Sequence, residues 1–180
     1  MKLEFERYEE IKKEVIQMFK ENNIKCTPIN AFEIAIKLGI EIRPYSALSA
    51  KKRKAALRIS LDGFSVETSD NKWIIYYNDQ CRNFGRINQT IMHEIGHFIL
   101  GHIKSDSEEE AEAKFFAKYA LAPPPLIHKL LKGNINPQSI MNTFDLSYTA
   151  AVYANMYYFK WLKQLSDFSI YEKELVQLFN

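Results

Sequence analysis

The sequence predicts an α+β fold, in which a small antiparallel sheet packs on a helix with two histidines and a mostly helical part follows. Two patterns predict it. Apolar residues recur every three or four positions between residues 4 and 22 and again after residue 107, as on amphipathic helices. Between residues 57 and 77 they alternate with polar residues, which is typical of strands. A chain of 180 residues with 47% hydrophobic residues is long enough for one domain with a substantial core.

The composition of the chain limits the kinds of partner that we expect the protein to bind. The net charge of +2 is too small to indicate binding to nucleic acid or to a membrane surface. Cys26 and Cys81 have no metal-binding or disulfide spacing, so we expect reduced thiols. The N-terminal segment lacks the apolar centre of a signal peptide, and no apolar run approaches the roughly 20 residues of a membrane-spanning helix. We therefore expect a cytoplasmic protein that does not bind membranes.

The first part of the chain is predicted to contain two helices and a strand. The first helix covers residues 4–22. The second begins after Asn30, a good N-cap, and stops at Gly39. Apolar and charged residues then alternate over 40–43, which predicts a strand that Pro44 closes.

A basic run and a sheet are predicted next. Residues 51–54 are all basic, and we expect them in a solvated loop or at a helix end rather than in contact with an acidic partner. Residues 57–61 and 64–66 alternate on either side of a turn at 62–63. Residues 73–77 form the strongest strand pattern and are a candidate sheet edge, with which an extended peptide could pair.

The candidate chemistry lies in residues 87–102, for which the apolar pattern predicts a buried helix. His93 and His97 are four residues apart, so on a helix their rings point the same way and can bind one metal ion. Glu94 leans into the same space, where a carboxylate can act as general base toward a water molecule. His-Glu-x-x-His on a helix is typical of zinc metallopeptidases. Two ordinary core histidines are the alternative, which the apolar flanks and the acidic residues downstream disfavour.

A catalytic zinc site usually has three protein ligands and one open position. The next helix is predicted to begin at Ser107 as N-cap, and three glutamates occupy its first turn. Glu110 shares a helix face with alanines at i+3 and i+7, and Glu109 shares a face with Ala113 and Phe116. Small residues permit two helices to approach closely. The spacing therefore leaves both Glu109 and Glu110 as candidate third ligands.

His102 is a further candidate near the metal. It lies five residues after His97, so a continued helix would turn its side chain away from the metal face. We therefore favour a surface position for His102 over a place behind the metal ligands.

The rest of the chain is predicted to be helical. Prolines 123–125 stop the third-ligand helix and separate residues 1–125 from residues 126–180. The predicted helices are 126–132, Pro137 to about Phe144, Tyr148 to about Leu165, and one from about Ser169 onward.

Residues from about 74 to 123 resemble the ImmA/IrrE family of zinc metallopeptidases. Its pattern is a strand, then Arg and Thr before His-Glu-x-Gly-His, then a helix with Glu-x-x-Ala-x-x-Phe-Ala, Leu and Pro. The matching residues are Ile75–Asn78, Arg86, Thr90, His93, Glu94, Gly96, His97, Glu110, Ala113, Phe116, Ala117, Leu121 and Pro123. Asn88 stands where the family commonly has Arg.

The resemblance implies a fold and a function. It implies a zincin-like metallopeptidase domain over 1–125 and a helical C-terminal subdomain over 126–180. It makes Glu110 the third ligand beside the two histidines, as in gluzincin-type peptidases, with Zn²⁺ as cofactor and Glu94 as the catalytic base of peptide-bond hydrolysis. Family members are similar to proteins encoded beside repressors on phages and mobile elements. The implied substrate is therefore a cytoplasmic helix-turn-helix repressor.

Two other functions compete with proteolysis. The protein could be a non-catalytic module that relieves a repressor by contact and keeps a structural or vestigial zinc. A complete set of ligands and a general base argue against it. Alternatively, residues 136–165, which have a helix-turn-helix outline, could bind DNA. Residues 148–153 contain no Arg or Lys that could contact base edges, which makes direct DNA binding unlikely and favours packing in the core.

Overall fold

The computed structural model describes residues 3–81, 83–104 and 106–180. The helices are α1 (Phe5–Glu21), α2 (Ala31–Lys37), α3 (Ala50–Ile59), α4 (Phe84–Ile99), α5 (Ser107–Leu121), α6 (Pro124–Leu131), α7 (Pro137–Phe144), α8 (Tyr148–Gln164) and α9 (Ile170–Leu178), and the strands are β1 (Glu41–Pro44), β2 (Gly63–Glu67) and β3 (Trp73–Tyr77). The α+β class is therefore confirmed. None of the described helices combines the length and apolarity that crossing a bilayer requires.

The sheet is mixed, whereas the sequence predicted an antiparallel one. The described strands have the order β1-β3-β2. β3 pairs antiparallel with β2, so that Ile75 lies opposite Ser65. β3 also pairs parallel with β1, with Ile75 opposite Ile42. The crossover that a parallel pair requires is supplied by the chain through α3 and β2. β3 is thus the central strand, the prediction that it forms an edge is wrong, and β2 is an edge instead.

Residues 57–61, which were predicted as a strand, lie mostly in α3. The Ser49 side chain caps this helix, and Ala, Lys and Arg, which favour helices, fill it. Ala56 is its buried residue, and the apolar residues of 57–61 are exposed. Their alternation therefore did not reflect burial on one face of a sheet. The basic residues 51–54 lie exposed on the first turns of α3, as expected.

α4 begins a turn earlier than predicted. The side chain of Asn83 accepts a hydrogen bond from the backbone nitrogen of Arg86 and so caps a helix that starts at Phe84. The helix ends at Ile99, after which Gly101 adopts a positive φ of 67°. This glycine turns the chain back over the last turn of α4.

The other predicted helices are confirmed to within about two residues. α5 is capped by Asp106 rather than by Ser107, and the Asp106 side chain accepts hydrogen bonds from the backbone nitrogens of Glu108 and Glu109. α6 begins at Pro124, since proline is tolerated in the first turn of a helix. The division at residue 125 stays a prediction.

α4 packs against both α5 and the strands β2 and β3. Its face toward the core carries Ile91, Met92 and Ile95, which are fully buried. Asn88, also buried, accepts a hydrogen bond from the backbone nitrogen of Ala31 and donates one to the carbonyl of Ile29. This side chain ties the start of α2 to the middle of α4, which accounts for an amide at this position.

Gly96 brings α4 and α5 together. A Cβ atom on Gly96 would lie 3.3 Å from the Cα of Ala113 and 3.1 Å from Cδ1 of Phe116, both on α5. Such distances are tighter than ordinary van der Waals contact. The close approach that the sequence suggested for this glycine is therefore made by the helix that carries Glu110.

We predict that Gly96→Ala destabilises the protein. Inside a helix, alanine is more favourable than glycine by up to about 1 kcal/mol. The added methyl group, however, meets the backbone of Ala113 and the fully buried ring of Phe116, which leave it no room. Overpacking of this kind costs about 1–3 kcal/mol. Urea unfolding should show a lower free energy of unfolding, and an unchanged or higher value would contradict this account of the helix contact.

Candidate metal centre

Three predicted site residues converge on one point between α4 and α5. The Nε2 atoms of His93 and His97 lie 3.2 Å apart. The Glu110 carboxylate lies 3.3 Å from Nε2 of His97 and 3.5 Å from Nε2 of His93. Among the described residues these three form a group of side chains whose ligand atoms could hold one metal ion.

The spacing of these atoms fits zinc. Ligand atoms about 2.0–2.2 Å from a tetrahedral ion lie roughly 3.3 Å from one another. The distance of 3.2 Å between the two Nε2 atoms is close to this value. So are the distances from Oε1 of Glu110 to His97, 3.3 Å, and from Oε2 of Glu110 to His93, 3.5 Å. Two imidazoles and a carboxylate are also a ligand set of catalytic zinc sites. The site therefore fits the ion that the sequence implied, and the ligand roles remain a prediction that this geometry supports.

Glu109, the other candidate ligand, points elsewhere. Its carboxylate accepts hydrogen bonds from the backbone nitrogens of Ile103 and Lys104, at 3.1 and 2.8 Å. It thereby holds the loop between α4 and α5 against the start of α5. The structure thus brings Glu110, and not Glu109, to the two histidines.

Burial keeps the two histidines neutral. Desolvation lowers the pKa of His93 to about 4, and the neighbouring His97 acts in the same direction. Desolvation also lowers the pKa of His97, although the Glu110 carboxylate opposes it. A neutral imidazole has the free lone pair that a metal requires, so both rings are in the binding form at neutral pH.

Glu94 is buried beside this point and is 7% exposed. Desolvation raises the pKa of its carboxyl group, against the lowering effect of a hydrogen bond from Ser65. The Ser65 hydroxyl donates to Oε2 of Glu94 at 2.7 Å. Sequence analysis missed Ser65. Its place in the alternating segment 64–66 was the available signal, because every second residue of a strand faces the same side.

A cleft of about 1360 Å³ opens over these residues. The edge strand β2 lines one side of it through Gly63, Phe64 and Ser65. At the rim, the guanidinium of Arg86 donates to both carboxylate oxygens of Asp62 at 2.8 and 2.9 Å, which joins the start of α4 to the turn before β2. The site thus faces a groove that is open to solvent.

His102 lies behind the histidine pair and not at the surface, so the favoured prediction for it is wrong. The backbone nitrogen of His102 donates to the carbonyl of His97, and that of Gly101 donates to the carbonyl of Phe98. These two bonds form a Schellman motif, which reverses the chain at the end of α4. The prediction assumed a continued helix, whereas Gly101, directly before His102, was the sequence signal for this turn.

The His102 side chain is 5% exposed and contacts two other groups. Its Nδ1 lies 2.9 Å from Nδ1 of His97, and its Nε2 lies 3.0 Å from the carboxylate of Glu112. Glu112 also accepts two hydrogen bonds from the guanidinium of Arg7 on α1, at 2.7 and 2.5 Å. Sequence analysis did not single out Arg7, which no local motif marks.

Comparison with known families agrees with this site. The model of one family, described as the IrrE N-terminal-like domain, Peptidase_M78, matches residues 37–155. The chain belongs to this family. Comparison with curated individual proteins gave no match. The family supports a peptidase function of the metallopeptidase type, and the matched segment includes the cleft strand β2 together with α4 and α5, which carry the converging side chains.

Protonation of His93 should make the metal-free protein sensitive to acid. In the unfolded chain, His93 binds a proton below about pH 6.5, whereas in the folded protein it binds one only below about pH 4. Between these values the unfolded state binds more protons, so stability falls as the pH falls. This loss is on the order of 3 kcal/mol and should be absent from His93→Gln.

Urea unfolding of both proteins across this pH range, in the presence of a chelator, measures the difference. Protonation of carboxylates that do not interact with His93 affects both proteins alike and cancels in the comparison. If the two stability curves run parallel between pH 6.5 and 4, the proposed state of His93 is wrong.

Proposed function

We propose that this protein is a zinc-dependent metalloendopeptidase of the His-Glu-x-x-His type. The observation that carries the proposal is that the ligand atoms of His93, His97 and Glu110 converge at 3.2–3.5 Å beside the buried carboxylate of Glu94. Metal-assisted peptide hydrolysis uses a Lewis acid and a general base at one carbonyl group. This arrangement supplies a place for both within an open cleft.

The proposed reaction is the addition of water across a peptide bond. A bound zinc ion supplies Lewis acidity, which lowers the pKa of a water molecule and polarises the scissile carbonyl. Glu94 accepts one proton as the water oxygen forms its bond to the carbonyl carbon. It then delivers that proton to the nitrogen as the C–N bond breaks, leaving a carboxylic acid and an amine, and the acid afterwards loses its remaining proton to solvent. The Ser65 hydroxyl occupies Oε2 of Glu94, which leaves Oε1 for the proton transfer.

The edge strand β2 is suited to hold the substrate. It pairs with β3 on one side only, and three of its residues, Gly63, Phe64 and Ser65, line the cleft. An extended peptide can add to such an edge through main-chain hydrogen bonds, which are independent of sequence. Peptide addition was expected at the last strand of the sheet, and the observed strand order transfers that expectation to β2.

The proposed substrate is a helix-turn-helix repressor in the cytoplasm. Support for it comes from the resemblance to ImmA/IrrE proteins encoded beside such repressors. A module that acts on a repressor by contact alone is the competing function, and it would need neither Glu94 nor a metal ion for its effect. The two functions therefore differ in the role of Glu94, which the peptidase needs as its general base and the contact module does not need.

We predict that Glu94→Gln retains zinc and loses cleavage. The glutamine preserves the shape of the side chain but accepts no proton, and removing a general base lowers a rate about 10²–10⁴-fold. The assay incubates the protein with the product of the neighbouring gene as candidate substrate, while elemental analysis measures bound zinc. Glu14→Gln, at an exposed carboxylate of α1 that does not line the cleft, is the control and should cleave normally.

A chelator added to the wild-type protein should also stop cleavage. Cleavage by Glu94→Gln at the wild-type rate would remove Glu94 from the mechanism. Binding of the repressor without cleavage, unaffected by the chelator, would favour the contact module.

A further inference from the structure

We infer that Arg7, Glu112 and His102 form a hydrogen-bonded chain that holds the His97 ring in the orientation and tautomer that a metal ion requires. The inference deepens the proposed function and rests on it only for the identity of the ion. The three residues are positioning residues, because none of them has an atom at the point where the ligand atoms converge. Arg7 also lies outside residues 37–155, the part of the chain that the family model matches.

The Glu112 carboxylate sets the direction of the hydrogen bonds along the chain when the His102 ring carries a single proton. The Glu112 carboxylate can only accept, and it accepts from both the Arg7 guanidinium and Nε2 of His102. In neutral His102, a proton on Nε2 leaves Nδ1 as an acceptor. Nδ1 of His97, 2.9 Å away, must then carry the proton that is shared between the rings.

This order leaves one nitrogen of His97 free. With its proton on Nδ1, neutral His97 has a lone pair on Nε2, and Nε2 is the atom that faces His93 and Glu110. The Glu112 carboxylate therefore fixes, through His102, which nitrogen of His97 can bind a metal, and the two hydrogen bonds from Arg7 hold that carboxylate in place. Metal-binding histidines commonly donate their second N–H to a carboxylate or carbonyl group. Here a second histidine stands between the ligand and the carboxylate.

Burial of the hydrogen-bonded chain favours one orientation of its side chains over the alternatives. The side chains of His102 and Glu112 are 5% and 8% exposed. A buried polar group that loses its partner is costly, so alternative orientations of His97 that break the chain are disfavoured. Arg7, at 34% exposure, is the part nearest to solvent and is the part contributed by α1. Packing of the Tyr8 ring edge-on against Phe115 of α5, with ring centroids 4.6 Å apart, holds this region of α1 in place.

The chain therefore couples the N-terminal helix to the metal centre. A purely structural alternative is that Arg7 and Glu112 only fasten α1 to α5. That role would change the stability of the protein without a specific effect on the metal. The two roles are separated by measuring zinc affinity and stability on the same variants.

The test uses Glu112→Gln and Arg7→Gln, with Glu10→Gln as the matched control. Glu10 also contacts Arg7, at 3.0 Å, but it is exposed and takes no part in the chain. The dissociation constant for zinc is measured by competition with a chelator, and stability by urea unfolding of the metal-free protein. We expect Glu112→Gln to weaken zinc binding about 10–100-fold, Arg7→Gln to weaken it less, Arg7→Lys to recover part of the loss, and Glu10→Gln to have no effect.

Two results would overturn the inference. One is wild-type zinc affinity in Glu112→Gln, even if its stability falls, since that is the behaviour of a structural fastening. The other is a proton on Nε2 rather than Nδ1 of His97, observed by ¹⁵N NMR of the imidazole rings in the wild-type, metal-free protein at neutral pH. The NMR measurement applies whether or not the variants fold. Neither readout uses proteolysis, so a protein that binds zinc through an intact chain but cleaves nothing would refute the peptidase and leave this inference standing.

Discussion

The close contact between α4 and α5 is the constraint on which the rest of the site depends. His93 and His97 come from one helix and Glu110 from the other, so their ligand atoms meet only if the helix backbones approach closely. Gly96 permits that approach, because a side chain there would meet Ala113 and Phe116. The same contact brings Glu112, two residues after Glu110 on α5, to His102. The ligand set and the contact between His102 and Glu112 therefore follow from a single packing arrangement, to which α1 adds Arg7.

The site concentrates polar groups inside an apolar core, and each group has a specific reason to be there. Burial lowers the pKa values of the histidines, which leaves them neutral and able to bind a metal, and it raises the pKa of Glu94, which makes that carboxylate a better proton acceptor. The apolar core offers these groups no hydrogen-bond partners. Ser65 supplies one to Glu94, and the Arg7–Glu112–His102 chain supplies them behind His97. The apolar face of α4 anchors this arrangement, while the open edge of β2 leaves room for a polypeptide beside it.

Sequence analysis predicted the local features of this molecule well. The apolar period of α1, the N-cap Asn30 and the turn at Gly39 all depend on residues close in sequence, and the structure has each of them. The histidine pair was equally local, because four residues on a helix determine a common face. Its placement beside Glu110 required a tertiary contact, which the resemblance to a family indicated and the helix face alone left undecided between two glutamates.

The errors arose where tertiary structure overrides a local pattern. Leu57 and Ile59 alternate as in a strand but are exposed on a helix, so their period said nothing about burial. The parallel pairing of β1 with β3 depends on residues more than thirty positions apart in sequence, for which no turn signal exists. His102 was placed at the surface by extending α4 past Gly101, and the salt bridge from Arg7 to Glu112 spans 105 positions and has no sequence signal.

The most direct test of the central claim is the position of the metal itself. Crystals grown with zinc and measured at its absorption edge should give one anomalous peak between α4 and α5. We predict that this peak lies about 2.0–2.2 Å from Nε2 of both His93 and His97 and from a carboxylate oxygen of Glu110. A peak elsewhere, or a Glu110 side chain turned away from the ion, would contradict the account.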